Sequence, residues 1–293
     1  VYPSSNLISN IGTGSDATHT KINKGRNFLP IENLGNFSYQ SIDNQKELTH
    51  WLEKKMGLRL GRATLLKGAF DGIRSAKYIV RRRLQRALFK RLDKIVIASS
   101  GRAGSTMLTL AIAEGYIKKY FPALVKIGLL PILLRLSIDF VPRLSAIDKS
   151  NAIIVKTHDL FNKRVKLPEK TIFVYGDPME SLYSALNMSE QFGKIWLAEH
   201  IYNLNSYSDV TKAQVSDVLN FEKQLFSWAN SSGVFIILFD DIFLKSHEID
   251  LFLGFEVRIP SKRDRTHKSR VPIGKDVKER LIKLFNEFRY DRY

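Results

Sequence analysis

Arg102, Ser105, Thr106, Lys156 and His158 are the residues of this chain best equipped to do chemistry together. The first three close a turn of small residues, Ser99-Ser100-Gly101-Arg102-Ala103-Gly104, and open the segment after it. Before the turn runs Ile95–Ala98, short, apolar and β-branched, which reads as a buried strand. After it come Met107, Leu108, Leu110 and Ala111 at helical spacing. Strand, small-residue turn and helix start together form a device for holding phosphate. The turn exposes backbone N–H groups, and the helix N-terminus adds partial positive charge. Glycines let an anion approach, hydroxyls donate to it, and Arg102 neutralises it. The spacing is not that of a Walker A loop, because no Lys follows Gly104. The competing reading is an ordinary strand-to-helix turn with Ser105 as N-cap.

Lys156 and His158 follow the next apolar run, Asn151–Val155. On extended backbone a two-residue spacing puts both side chains on one side, so a cation and a base of near-neutral pKa would face one cleft. A third strand, Thr171–Tyr175, runs into Gly176-Asp177-Pro178 and a helix that carries Ser184. Asp177 beside Pro178 reads as that helix's N-cap. The fourth strand, Val234–Phe239, ends in Asp240-Asp241. Strands alternating with helices predict an α/β fold with a parallel, P-loop-like central sheet flanked by helices. In such sheets the site lies beyond the strand C-termini, where Arg102, Lys156, His158, Asp177 and Asp240 fall. A cation-lined anion cradle beside a histidine suits transfer of a group from a phosphate-bearing donor to a hydroxyl. The histidine removes the hydroxyl proton and the cations stabilise charge on the leaving phosphate.

On these motifs, residues 92–293 resemble sulfotransferases that use 3′-phosphoadenosine 5′-phosphosulfate (PAPS). Arg102-Ala103-Gly104-Ser105-Thr106 matches the family's first motif, which implies that these residues bind the 5′-phosphosulfate and that Arg102 is the catalytic cation. Lys156-Thr157-His158 matches the Lys-Thr-His motif of the cytosolic branch, implying His158 as general base and Lys156 as a sulfate-orienting cation. The third motif, which binds the 3′-phosphate, is matched by Asp177, Pro178, Glu180 and Ser184, but Gly176 stands where the family has Arg. Ser184 thereby lacks its usual partner. Arg263, Arg265, Lys268 or Arg270, in a basic C-terminal loop, are the expected substitutes. Phe239-Asp240-Asp241 and Phe252-Leu253-Gly254 resemble structural elements of the same family.

The segment Asn6–Thr20 with Leu29-Pro30 resembles the closing segment of bacterial glycosyltransferases of the hemolytic-protein-like family. That resemblance implies an upstream glycosyltransferase module, with the present sequence as its downstream partner and as a piece of something longer. Three regions are expected: an irregular arm (1–45), a basic helical linker (46–91) and a sulfotransferase-like domain (92–293). Residues 54–94 hold fourteen Lys or Arg against two Asp, a net +12 out of a total of +17. The charge is therefore local. Ile79–Lys90 reads as a basic amphipathic helix open to an anionic membrane surface or a polyanion, or as a connecting helix with solvated cations. The run lacks interleaved aromatics, so nucleic acid is not an expected partner. The apolar stretch Ala123–Val141 is interrupted by Lys126, Pro131, Arg135 and Asp139, which argues for core helices rather than a membrane span. With no signal peptide in view, the expected location is cytoplasmic, with membrane association.

There are no cysteines, which excludes thiol chemistry, disulfides and Cys-ligated zinc. His50, His200, His247 and His267 lack partners at metal-site spacing, so no metal is expected. The leading reading is an enzyme, a sulfotransferase acting on a sugar or polysaccharide hydroxyl, with PAPS as donor. The alternative is a degenerate sulfotransferase-fold module that binds glycan or membrane without catalysis. A P-loop phosphotransferase is disfavoured by the missing Walker lysine.

Overall fold

The computed structural model describes residues 67–206, 217–262 and 273–290. The arm at 1–45, the first part of the linker, and Arg263, Arg265, Lys268 and Arg270 lie outside the described residues.

Five strands form one all-parallel sheet: β1 (Ile95–Ser99), β2 (Ile138–Phe140), β3 (Ile154–Thr157), β4 (Lys170–Tyr175) and β5 (Val234–Leu238), in the order β2-β3-β1-β4-β5. Every residue of β1 is buried, as a central parallel strand covered on both faces requires. Its side chains alternate. Ile95 and Ile97 join one core with Leu108, Ile112 and Tyr116 of α2 (Ser105–Tyr120). Val96 and Ala98 join the other, with Phe221, Leu225 and Trp228 of α7 (Phe221–Ala229). Trp228 is wholly buried and stacks on Phe173 of β4, ring centroids 5.2 Å apart. Truncating a residue so placed costs about 3–5 kcal/mol.

The remaining helices among the described residues are α1 (Lys67–Phe89), α3 (Pro122–Lys126), α4 (Leu130–Ser137), α5 (Pro178–Phe192), α6 (Lys194–Asn203), α8 (Ser246–Leu253) and α9 (Lys275–Tyr290). Pro122 and Pro131 sit in the first turns of α3 and α4, where a missing N–H costs nothing. Among the described residues no helix is long and apolar enough to cross a membrane.

Two sequence expectations are corrected. The stretch Ala123–Val141 is not helical throughout, because Ile138–Phe140 is edge strand β2, paired with β3. Three residues are too few to display a period of two. Phe226 is exposed, because α7 turns Phe221, Gln224, Leu225 and Trp228 inward. Position 226 lies off that i, i+3, i+4, i+7 stripe. Ser105 does not cap α2: the N-cap is Gly104, and no side chain caps that end.

The basic helix is docked on the segment around β2. Gln85 is buried and donates to the Leu136 carbonyl, and Arg81 donates to the Ile138 carbonyl at 2.6 Å and pairs with Asp139 at 3.5 Å. Its outer side leaves Ile79, Val80 and Leu84 about half exposed, beside the exposed Arg83, Arg86 and Lys90.

Candidate active site at the turn after the first strand

Strand order and register assemble this site. Ala98 of β1 pairs with Thr157 of β3, so His158, one residue further, comes level with Ser99. On the other side Ser99 pairs with Val174 of β4, which brings Gly176 beneath the turn. β1 is thus flanked at its C-terminal end by the ends of β3 and β4, the kind of crevice in which open α/β sheets bind ligands.

The turn itself runs through left-handed backbone at Gly101 (φ 79°), Arg102 (φ 50°) and Gly104 (φ 70°). Gly104 is required twice over. Its φ disfavours any side chain, and a Cβ there would lie 2.0 Å from the Phe239 ring. Phe239 is held by its own amide, which donates to the Tyr175 carbonyl at the end of β4. Backbone that curls so tightly into an uncapped helix N-terminus is suited to an anion.

His158 and Lys156 both reach this turn. His158 Nδ1 lies 2.9 Å from Ser99 Oγ and 3.2 Å from the Ser99 carbonyl oxygen. A carbonyl only accepts, so Nδ1 carries the hydrogen and Nε2 keeps its lone pair. The Ser99 hydroxyl donates onward to Ser105 Oγ at 3.0 Å. Lys156 Nζ donates to Thr106 Oγ1 at 2.6 Å. Burial, then the charge of Lys156, holds the His158 pKa well below the usual histidine range, so the ring is neutral at pH 7. That is the protonation state a general base needs.

Two further groups pin the His158 segment from behind. Gln224 Nε2 donates to the His158 carbonyl, and Trp228 Nε1 donates to the Asp159 carbonyl at 3.1 Å. The Asp159 carboxylate accepts from the Leu144 amide at 2.8 Å. Burial raises the Asp159 pKa, against the pull of that bond.

Arg102 turns toward α5. Its Nε donates to Ser184 Oγ at 3.0 Å, and its guanidinium carbon lies 5.8 Å from the centre of the Trp196 ring. Ser184 therefore has a partner in Arg102. Space does not force glycine at 176, since a Cβ there would meet Ala103 at an ordinary 3.4 Å. Asp177 is the N-cap expected of it and accepts from the Met179 and Glu180 amides at 2.8 and 2.9 Å. Asp240 begins a 3₁₀ turn and pairs at the surface with Lys262 at 2.8 Å.

Arg102, Ala103, Gly104, Ser105, Thr106, Lys156, His158 and Ser184 are thus brought together. Sequence reasoning missed Ser99, Gln224 and His200. Ser99 was legible as the hydroxyl that ends an apolar strand, and Gln224 as a polar residue on an inward helical stripe. Nothing local marks His200. Its ring stacks on Trp196 (centroids 5.1 Å, 12°) and meets His158 edge-on at 5.7 Å. Burial, then Arg102 and Lys156, lowers its pKa to about 3. No protein-family model matches the chain, and no curated protein matches it.

Proposed function

We propose that this chain is a sulfotransferase that uses PAPS as donor and a hydroxyl of a glycan or other surface molecule as acceptor. The observation that carries the reading is the convergence of Lys156 and His158 on one turn, at Thr106 and Ser99. The residues present fit an oxygen-rich anion. Ser100 Oγ, Ser181 Oγ and His200 Nε2 are buried around the turn without hydrogen-bond partners among the described residues, and each such atom costs about 1–3 kcal/mol until something bonds it. Gly101 to Thr106, Lys156, Arg102 and Ser184 would hold the donor. When bound, the donor supplies the sulfuryl group, which exchanges its bond to the 5′-phosphate oxygen for a bond to the acceptor oxygen.

The chain's own residues do the rest. His158 Nε2 takes the acceptor's proton while Nδ1–H stays on Ser99. Lys156 and Arg102 offset the negative charge that gathers in the cradle, in a water-poor setting where such charges act strongly. The Ser99–Ser105 hydroxyl pair fixes the imidazole without competing for the proton. The resemblance of the N-terminal segment to glycosyltransferases supports a sugar acceptor and an upstream glycosyltransferase module. The exposed basic side of α1 supports association with an anionic membrane surface.

His158→Ala should abolish turnover while leaving affinity for adenosine 3′,5′-bisphosphate nearly unchanged; retained turnover would reject the general-base role. Gly176 favours a second reading, a sulfotransferase-fold module that binds glycan or membrane without catalysis. Calorimetric titration with adenosine 3′,5′-bisphosphate separates the two, because absence of heat at submillimolar concentration selects the second.

A further inference from the structure

We propose that His200 is a second imidazole of this site, donating from Nε2 to an oxyanion of the phosphate or sulfate class held over the Gly101–Gly104 turn. The inference rests on the anion-holding part of the reading above, not on the identity of the donor. It deepens that reading by assigning a residue to which no family motif points.

Geometry carries it. The Nε2 atom lies 3.2 Å from where a Cβ on Gly101 would stand, so it faces the turn backbone at close range. His200 is partly buried as a residue, and its Nε2 is sealed from solvent with no hydrogen-bond partner among the described residues. The ring cannot easily swing away to find one. Trp196 lies flat against it, the His158 ring abuts it, and its backbone carbonyl accepts from the Leu204 amide at 3.1 Å.

A second observation points the same way. The Ser100 hydroxyl, within the turn, and the Ser181 hydroxyl, one helical turn before Ser184, are fully buried and equally unpartnered among the described residues. Ser181 Oγ sits 3.7 Å from the Cβ position of Gly176, which in turn contacts Ala103. Three neutral groups able to donate thus surround a turn that two cations also approach. Burial, and then the charges of Arg102 and Lys156, keep the His200 ring uncharged at pH 7. A neutral ring donates one N–H without adding a third positive charge to the free site. A bound dianion reverses that field and strengthens the bond.

The test combines direct observation with substitution. In wild-type protein labelled with 15N histidine, NMR titration with inorganic phosphate, and separately with adenosine 3′,5′-bisphosphate, should shift the His200 Nε2–H resonance downfield in step with binding. His200→Phe keeps the stacked ring but loses the nitrogen, and should weaken binding of the responding anion by about tenfold or more, the value of a hydrogen bond to a charged group. His200→Gln keeps a donor and should recover most of the loss. A response to phosphate without one to the bisphosphate supports this inference and counts against the nucleotide donor. Bisphosphate binding that leaves the His200 resonance and the His200→Phe affinity unchanged overturns the inference and leaves the donor reading standing. No response to either anion overturns it as well, even if the substituted proteins fail to fold.

Discussion

Gly104→Ala tests whether the cradle is held as tightly as its geometry implies. The substitution has two separable consequences. An alanine at φ 70° occupies left-handed backbone, which costs about 1–2 kcal/mol. Its Cβ would also stand 2.0 and 2.3 Å from two atoms of the Phe239 ring, so the ring or the turn must move. Overpacking of this kind costs about 1–3 kcal/mol. The sum, about 2–5 kcal/mol, should lower Tm by about 2–4 °C per kcal/mol for a domain of this size. Urea and thermal unfolding followed by circular dichroism measure it. Repeating the substitution in a Phe239→Ala background isolates the steric part, since the methyl then has room and only the backbone part remains. The expected coupling is about 1–3 kcal/mol, in favour of the double variant. If Gly104→Ala costs the same in both backgrounds to within about 0.5 kcal/mol, the ring yields freely and the close approach does not hold the turn.

Gln224→Leu should lower kcat about tenfold to a hundredfold by releasing the His158 carbonyl, with affinity for adenosine 3′,5′-bisphosphate within about twofold of wild type. A fall in affinity with kcat intact would remove Gln224 from the positioning of His158. His200 makes stability pH-dependent. Its pKa is about 3 in the folded chain and about 6.5 unfolded, so its contribution is complete above pH 6.5 and declines as the unfolded chain takes up the proton below it. Between pH 6 and pH 5 wild type should lose up to about 1 kcal/mol more than His200→Phe in urea unfolding, and parallel losses would mean the ring is not held neutral by the fold. Vesicles rich in phosphatidylglycerol should retain the protein at low salt and release it as salt rises. Charge neutralisation at Arg83 and Arg86 should weaken retention about thirtyfold, at about 1 kcal/mol per residue, and unchanged retention would take α1 out of the interface.

Local chemistry wrote much of this fold into the chain. β1, its turn and α2 read directly, because a β-branched run, a cluster of small residues and a helical apolar pattern are each short-range signals. Asp177 before Pro178 was legible as a cap for the same reason, since a side chain three bonds from its own helix needs no tertiary partner. The pairing of Lys156 with His158 on one side follows from strand geometry alone. Which strand stands next to which is another matter. That β3 lies against β1, setting His158 abreast of Ser99 fifty-nine positions earlier, depends on how two cores close over the sheet. The Arg102–Ser184 bond, the Phe239 ring over Gly104 and the lodging of His200 behind Gly101 come from the same source. Each joins residues with no common period or motif, and only burial of the sheet's two faces fixes the distance between them.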